Sequence, residues 1–230
     1  MPPPPDHLAL LDSSTVRAPK PGVRPGRRVA ELLRREVALA DEDFDALYPE
    51  AVREVSSRYW TPVAVAMRAA QLLVTDRSTR VLDVGSGAGK FCLVGALATG
   101  ASFTGVEHRA GLVEVAQAAA ASLGARRARF VHGRFHTVPW ETFDAFYFFN
   151  PFAENVFPAS EHLDASVELS SDRCLADLTF AEELLARAKD GARIATYHGF
   201  GGQMPGSYEL LRTEPLGSDY LELWVKRPRA

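Results

Sequence analysis

Val81-Leu82-Asp83-Val84-Gly85-Ser86-Gly87-Ala88-Gly89-Lys90-Phe91 passes from an apolar run through three alternate glycines into a helical pattern. It reads as strand, tight loop and helix. Glycine accepts positive φ and has no side chain to hold off a ligand, so the loop lets a cofactor lie against bare backbone at a helix N-terminus. Outward from this stretch, strand-like segments at 80–84, 102–107, 128–132, 143–149 and 192–197 alternate with helix-like segments at 91–97, 112–123 and 172–189. The segment 143–149 is almost wholly apolar, as expected of a strand covered on both faces. Such alternation implies a parallel, doubly wound sheet with right-handed crossovers. The rhythm then changes. Segments 208–213 and 220–226 both read as strands, and the link Glu214-Pro215-Leu216-Gly217-Ser218-Asp219 has no room for a helix, so they form an antiparallel hairpin. The expected fold is α/β, with a mostly parallel seven-stranded sheet, a terminal antiparallel hairpin and a helical N-terminal extension.

Upstream of the glycine loop, residues 1–27 are rich in proline and carry Arg17, Lys20, Arg24 and Arg27, which reads as an extended or disordered leader. Residues 28–58 form a helical extension, with apolar residues at near-helical spacing over 28–39 and a second short helix opened by Asp41-Glu42-Asp43-Phe44. The domain proper spans 59–230. It opens on Tyr59-Trp60-Thr61-Pro62, where Thr61 can cap, and Pro62 can start, a helix running to about Leu73.

The 230 residues carry a net charge of -3, which excludes broad nucleic-acid affinity from bulk charge alone. Two cysteines, Cys92 and Cys174, do not make a disulfide scaffold or a metal site of familiar spacing, so no metal is expected. Cys92 reads as a small core residue. No apolar run reaches membrane-spanning length and Met1-Pro2-Pro3-Pro4-Pro5-Asp6 lacks the form of a signal peptide, so the expected compartment is the reducing cytoplasm.

Three glycine-rich loops compete for the central stretch. A phosphate-binding loop, GxxxxGK followed by Ser or Thr, ending at Gly89-Lys90 would place its first glycine at Val84 and its hydroxyl at Phe91, and fails twice. A dinucleotide loop, GxGxxG, meets Lys90 where its third glycine should be. An acidic residue followed by GxGxG fits Asp83 to Gly89 at every position.

In that form the chain resembles the class I S-adenosylmethionine-dependent methyltransferases, over roughly 59–226. The resemblance implies that Gly85, Gly87 and Gly89, with Ser86 between them, pack beneath the cofactor, that Asp83 orients its amino group through the loop, and that Glu107 takes both ribose hydroxyls, with His108 beside it. A carboxylate suits that task because it offers two acceptor oxygens and no donor. The family often holds the adenine amine with an acidic residue after the third strand, where this chain has Arg134; the alternatives are backbone groups, stacking on Phe135, or His136. Tyr59 and Thr61 resemble an aromatic-Thr-Pro entry of amino methyltransferases, with Thr61 on the cofactor carboxylate.

Asn150-Pro151-Phe152 ends the fourth strand beside the expected crevice, where open α/β sheets bind ligands. The step is similar to the motif of methyltransferases acting on amino or amide nitrogen, though it lacks their second proline, and an Asn near this point also occurs in histone-lysine methyltransferases of the nucleosome core. The resemblance makes Asn150 both a cofactor-side residue and the acceptor of hydrogen bonds from the substrate nitrogen. Proton acceptors within reach of such a site are Glu154, His136, Tyr197 and His198. The expected partner is a methyl acceptor, macromolecular or small; the basic leader and Arg126-Arg127-Ala128-Arg129 mildly favour an acidic or macromolecular one. The rivals are a nicotinamide oxidoreductase and a cofactor-binding module without transfer activity.

Overall fold

The computed structural model describes residues 25–228. Seven strands, β1 (Arg80–Val84), β2 (Ser102–Glu107), β3 (Ala128–His132), β4 (Ala145–Phe149), β5 (Arg193–Tyr197), β6 (Tyr208–Leu216) and β7 (Asp219–Lys226), form one sheet in the order β3-β2-β1-β4-β5-β7-β6. The first five are parallel, and β7 enters antiparallel between β5 and the edge strand β6. Strand order reverses between β1 and β4, which opens a crevice at their carboxyl ends.

Alternation along β4 divides the core. Ala145 and Tyr147 face the side covered by α5 (Val63–Leu73), α6 (Lys90–Thr99) and α7 (Ala110–Leu123), and Tyr147 stacks on Phe91 at 3.8 Å. Phe146 and Phe148 face the other side, with Trp140 and the residues of α8 (Ser171–Arg187). This five-residue run is buried on both faces, apart from the partly exposed Phe149 that ends it at the crevice. Among the described residues no helix is long and apolar enough to cross a membrane.

Four short helices precede α5: α1 (Pro25–Arg34), α2 (Asp41–Asp45), α3 (Glu50–Glu54) and α4 (Ser56–Tyr59). They are built into the core, with Leu33, Phe44 and Val52 fully buried. Lys90, at the start of α6, lies 2.5 Å from the Asp41 carboxylate and 2.8 Å from that of Asp45, and is itself only 2% exposed. The Tyr48 hydroxyl donates to the Ala88 carbonyl at 3.0 Å, so the helices grip the glycine loop directly.

Several boundaries differ from the sequence reading. Residues 1–24 of the proline-rich leader lie outside the described residues, but helix begins at Pro25, inside the span read as leader; the first turn is where a missing N–H costs nothing. That helix ends at Arg34 and not near residue 39, because Glu36 takes a left-handed φ of 52° and the N–H groups of Glu36 and Val37 turn back to the carbonyls of Leu33 and Leu32. Thr61 does not cap α5. The Asp41 carboxylate accepts from Val63 N at 2.9 Å instead, and the Thr61 hydroxyl pairs with that of Tyr147 at 3.2 Å in the interior. Strand β4 starts at Ala145 and not 143, because a short 3-10 turn occupies Trp140–Thr142 just before Phe143. The hairpin link is also shorter than expected: Leu216 pairs with Asp219, so only Gly217 and Ser218 turn, and Pro215 is tolerated inside β6 because that strand is at the edge.

Candidate active site

The crevice above β1 and β4 holds about 250 Å³. Its floor is the glycine loop. Gly85 N and Ser86 N both donate to the Val106 carbonyl, and Gly89 N closes a turn onto Ser86 O. A Cβ on Gly87 would stand 2.4 Å from the Trp60 ring, and one on Gly89 2.4 Å from Phe130 and 2.9 Å from Ala116, so the packing behind the loop admits only glycine. Trp60 is fixed in turn by its indole N–H on the Val52 carbonyl at 2.9 Å.

Of the sequence-nominated residues, Tyr59, Gly85, Gly87, Glu107, His108, Phe135, Asn150, Pro151 and Phe152 line the crevice. Thr61, Asp83, Ser86 and Gly89 stand behind its wall and are buried. The Glu107 carboxylate accepts from Gly87 N (3.0 Å) through one oxygen and from Arg109 N (2.8 Å) through the other. Burial pushes its pKa up, while those N–H donors and the Arg109 guanidinium work against the rise. Each oxygen keeps a second lone-pair direction for a ligand hydroxyl. His108 accepts from the Arg109 guanidinium at 3.1 Å and is held neutral, its pKa pushed down to about 4 by burial first and by that guanidinium second.

Asp83, beneath the loop, takes a hydrogen bond from the Cys92 thiol at 3.4 Å, and burial raises its pKa to about 7. The sign follows from linkage. Between pH 4 and 7 the folded protein keeps a proton on Asp83 that the unfolded chain has released, so this contribution to stability is full at low pH and lost as pH rises toward 7. Urea midpoints at about pH 5 and pH 7.5 test it: wild type is expected to lose roughly 3 kcal/mol more than Asp83→Asn over that interval.

Asn150 lines the crevice with a left-handed backbone, φ 42°, fixed by its N–H on the Gly199 carbonyl at 3.0 Å and by its own carbonyl, which accepts from Ala153 N at 3.2 Å. Pro151 packs on Gly85, where an added Cβ would lie 2.9 Å from its Cβ. Phe152 meets Phe135 at 5.1 Å between centroids, and Phe135 in turn meets Trp140 edge-on.

The four candidate proton acceptors separate. Glu154 lines the crevice, but its Oε1 is engaged by Arg109 (2.9 Å) and by Leu163 N (2.6 Å). His136 stacks on Phe180 away from the crevice wall. Tyr197 is not on that wall either: its hydroxyl donates to the Leu216 carbonyl, at the end of β6. His198 lines the crevice.

Sequence reasoning missed two wall residues, Arg109 and Asp177. Arg109, 5% exposed, bridges Glu154 and Asp164 and ties the segment after β4 to the end of β2. Arg134 forms an ion pair with Asp177 of α8, so a carboxylate does stand at the end of the crevice where the third-strand position lacks one. Each partner comes from a distant part of the chain, and no local pattern announces the pairing. Among the described residues no group of His, Cys, Asp and Glu could hold a metal ion.

No curated protein sequence matches the chain. Among solved structures, an RNA methyltransferase from Salinibacter ruber in complex with S-adenosyl-L-homocysteine is 20% identical, with 74% of this chain and 95% of that one covered and a TM-score of 0.56. TrmN from Thermus thermophilus is 18% identical over 75% of this chain and 51% of its own, so this chain spans about half its length, with a TM-score of 0.55. The [4+2]-cyclase SpnF is also similar, at 16% identity, 73% and 81% coverage and a TM-score of 0.52. These likenesses establish the Rossmann-like fold, and the cyclase among them is a reminder that fold alone does not decide chemistry. Residues 75–175, which contain the glycine loop, Glu107 and the Asn150-Pro151-Phe152 step, match the family model described as a methyltransferase domain.

Proposed function

We propose that the protein is an S-adenosylmethionine-dependent methyltransferase acting on a nitrogen. The observation that carries this reading is the opposition, across one crevice, of the Glu107 carboxylate and bare glycine backbone on one side and the left-handed Asn150 on the other. The residues fit the cofactor: Gly85 and Gly87 admit a ligand against the backbone, Glu107 has lone pairs for two ribose hydroxyls, and the Phe135–Phe152 pair offers an apolar face for adenine near Arg134 and Asp177. When bound, S-adenosylmethionine would supply an electrophilic methyl group. The chain's own part is to hold and align the acceptor, because an in-line displacement gains most from proximity and exclusion of water. Asn150 offers its side-chain oxygen to the acceptor N–H, aiming the lone pair, while Arg109, Glu154 and Asp164 fix the segment that covers the crevice. A nicotinamide role is disfavoured because Lys90, in place of the third glycine of that motif, is committed to Asp41 and Asp45.

Calorimetry with S-adenosylmethionine, S-adenosylhomocysteine and NAD tests the cofactor; NAD binding without any response to the other two would overturn the proposal. Methyl-labelled S-adenosylmethionine with fractionated cell extract then reads whether label enters protein, nucleic acid or small molecules. In the fraction that accepts label, Asn150→Ala is expected to lower transfer by roughly 100-fold, well beyond any loss of cofactor affinity read by calorimetry.

A further inference from the structure

Glu36, Asn150 and His198 are the non-glycine residues with positive φ among those described. Two of the three stand side by side. Phe149 of β4 pairs with Tyr197 of β5, so Asn150 and His198 are the next residue of each strand, and the Asn150 N–H bonds to the Gly199 carbonyl just beyond. Left-handed backbone is uncommon outside glycine, Asn and His adopting it more readily than most, and functional sites are among the places where such residues cluster. Here it turns both side chains out of the sheet at the carboxyl ends of adjacent strands, and both residues line the same crevice.

His198 has a partner suited to orienting a base. Its Nδ1 lies 2.5 Å from Asp219 Oδ2, and Asp219 Oδ1 accepts from Tyr220 N at 2.7 Å, so the carboxylate is held at the first residue of β7. The Phe149 ring, 5.4 Å away between centroids, and the Tyr197 ring, at 4.5 Å, flank the imidazole. A carboxylate on Nδ1 keeps the proton there and leaves Nε2 as the acceptor nitrogen.

We infer that His198 is the general base of the reaction, and Asp219 the residue that positions it. This rests on the methyl-transfer reading above and narrows the substrate to a nitrogen that must give up a proton, such as a protonated amine. The acceptor held by Asn150 loses its proton to His198 Nε2. Its freed lone pair forms the bond to the methyl carbon, and the pair of the broken carbon–sulfur bond stays on the sulfur of S-adenosylmethionine, leaving a neutral thioether. The resulting imidazolium is stabilised by Asp219, and the side chain, about one-third exposed, returns the proton to solvent.

The test uses the full chain, methyl-labelled S-adenosylmethionine and the extract fraction that accepts label. Asparagine tolerates left-handed backbone and can keep a hydrogen bond to Asp219 but cannot take a proton, so His198→Asn is expected to lower transfer by about 100-fold with calorimetric cofactor binding unchanged. His198→Gly suits the same φ and should regain transfer when imidazole is added. Ring nitrogen resonances of wild type, read without cofactor, should place the His198 proton on Nδ1, and Asp219→Ala should scramble that preference and slow transfer. Full transfer by His198→Asn, or a wild-type proton on Nε2, would overturn the inference while leaving methyl transfer intact. A wild type that binds S-adenosylmethionine yet labels no fraction would overturn the methyl-transfer reading and this one with it.

Discussion

Glu107→Ala is expected to weaken S-adenosylmethionine binding by roughly 100-fold, equivalent to about 3 kcal/mol, the value of a hydrogen bond to a charged group in a buried site. Two effects act together. The ribose would lose its acceptor, and the N–H groups of Gly87 and Arg109, which the carboxylate now takes at 3.0 and 2.8 Å, would lose theirs. Glutamine is not a conservative control, since its NH₂ group would face one of those N–H donors; Glu107→Gln should therefore also bind weakly. Calorimetric titration decides it, and an alanine variant that binds as tightly as wild type would remove Glu107 from the cofactor site.

The second large effect is on stability. Lys90→Met is expected to cost about 3–5 kcal/mol, because it removes the ammonium that compensates the buried Asp45 carboxylate. For a domain of this size that corresponds to a fall in Tm of about 10 °C. The double variant Lys90→Met/Asp45→Asn should recover part of the loss, since the uncompensated charge is then gone. If the two substitutions simply add, the ion pair is not the source of the stability.

Much of the fold was legible because its signals are local. Strands β1, β2 and β3 are short segments built around apolar and β-branched residues, and their observed limits are those the sequence suggested. The reversed strand followed from a link too short for a helix. The lining of the crevice was legible only where it follows a fixed spacing, as in the glycine loop, Glu107 at the end of β2 and Asn150 at the end of β4. What escaped depends on partners far apart in the chain. Thr61 looked like a cap because Thr-Pro before an apolar run usually is one, yet Asp41, 22 residues before the Val63 N–H that it accepts, supplies the cap. Asp41 and Asp45 share one face of a helix at i,i+4 spacing, a hint that a cation would meet them, but nothing local named Lys90. Asp219 looked like a turn residue; only the pairing of Tyr197 with Leu221 carries it beside His198.

The grip of the N-terminal helices on the glycine loop has a thermodynamic consequence. Loops that order around a ligand give up chain entropy at the moment of binding and so bind more weakly than their contacts suggest. Here Tyr48 holds the Ala88 carbonyl, Trp60 backs Gly87 and Lys90 anchors the helix that follows, so the loop already has its shape. The ordering cost is met once, when the chain folds, and the helices thereby contribute to ligand affinity through rigidity.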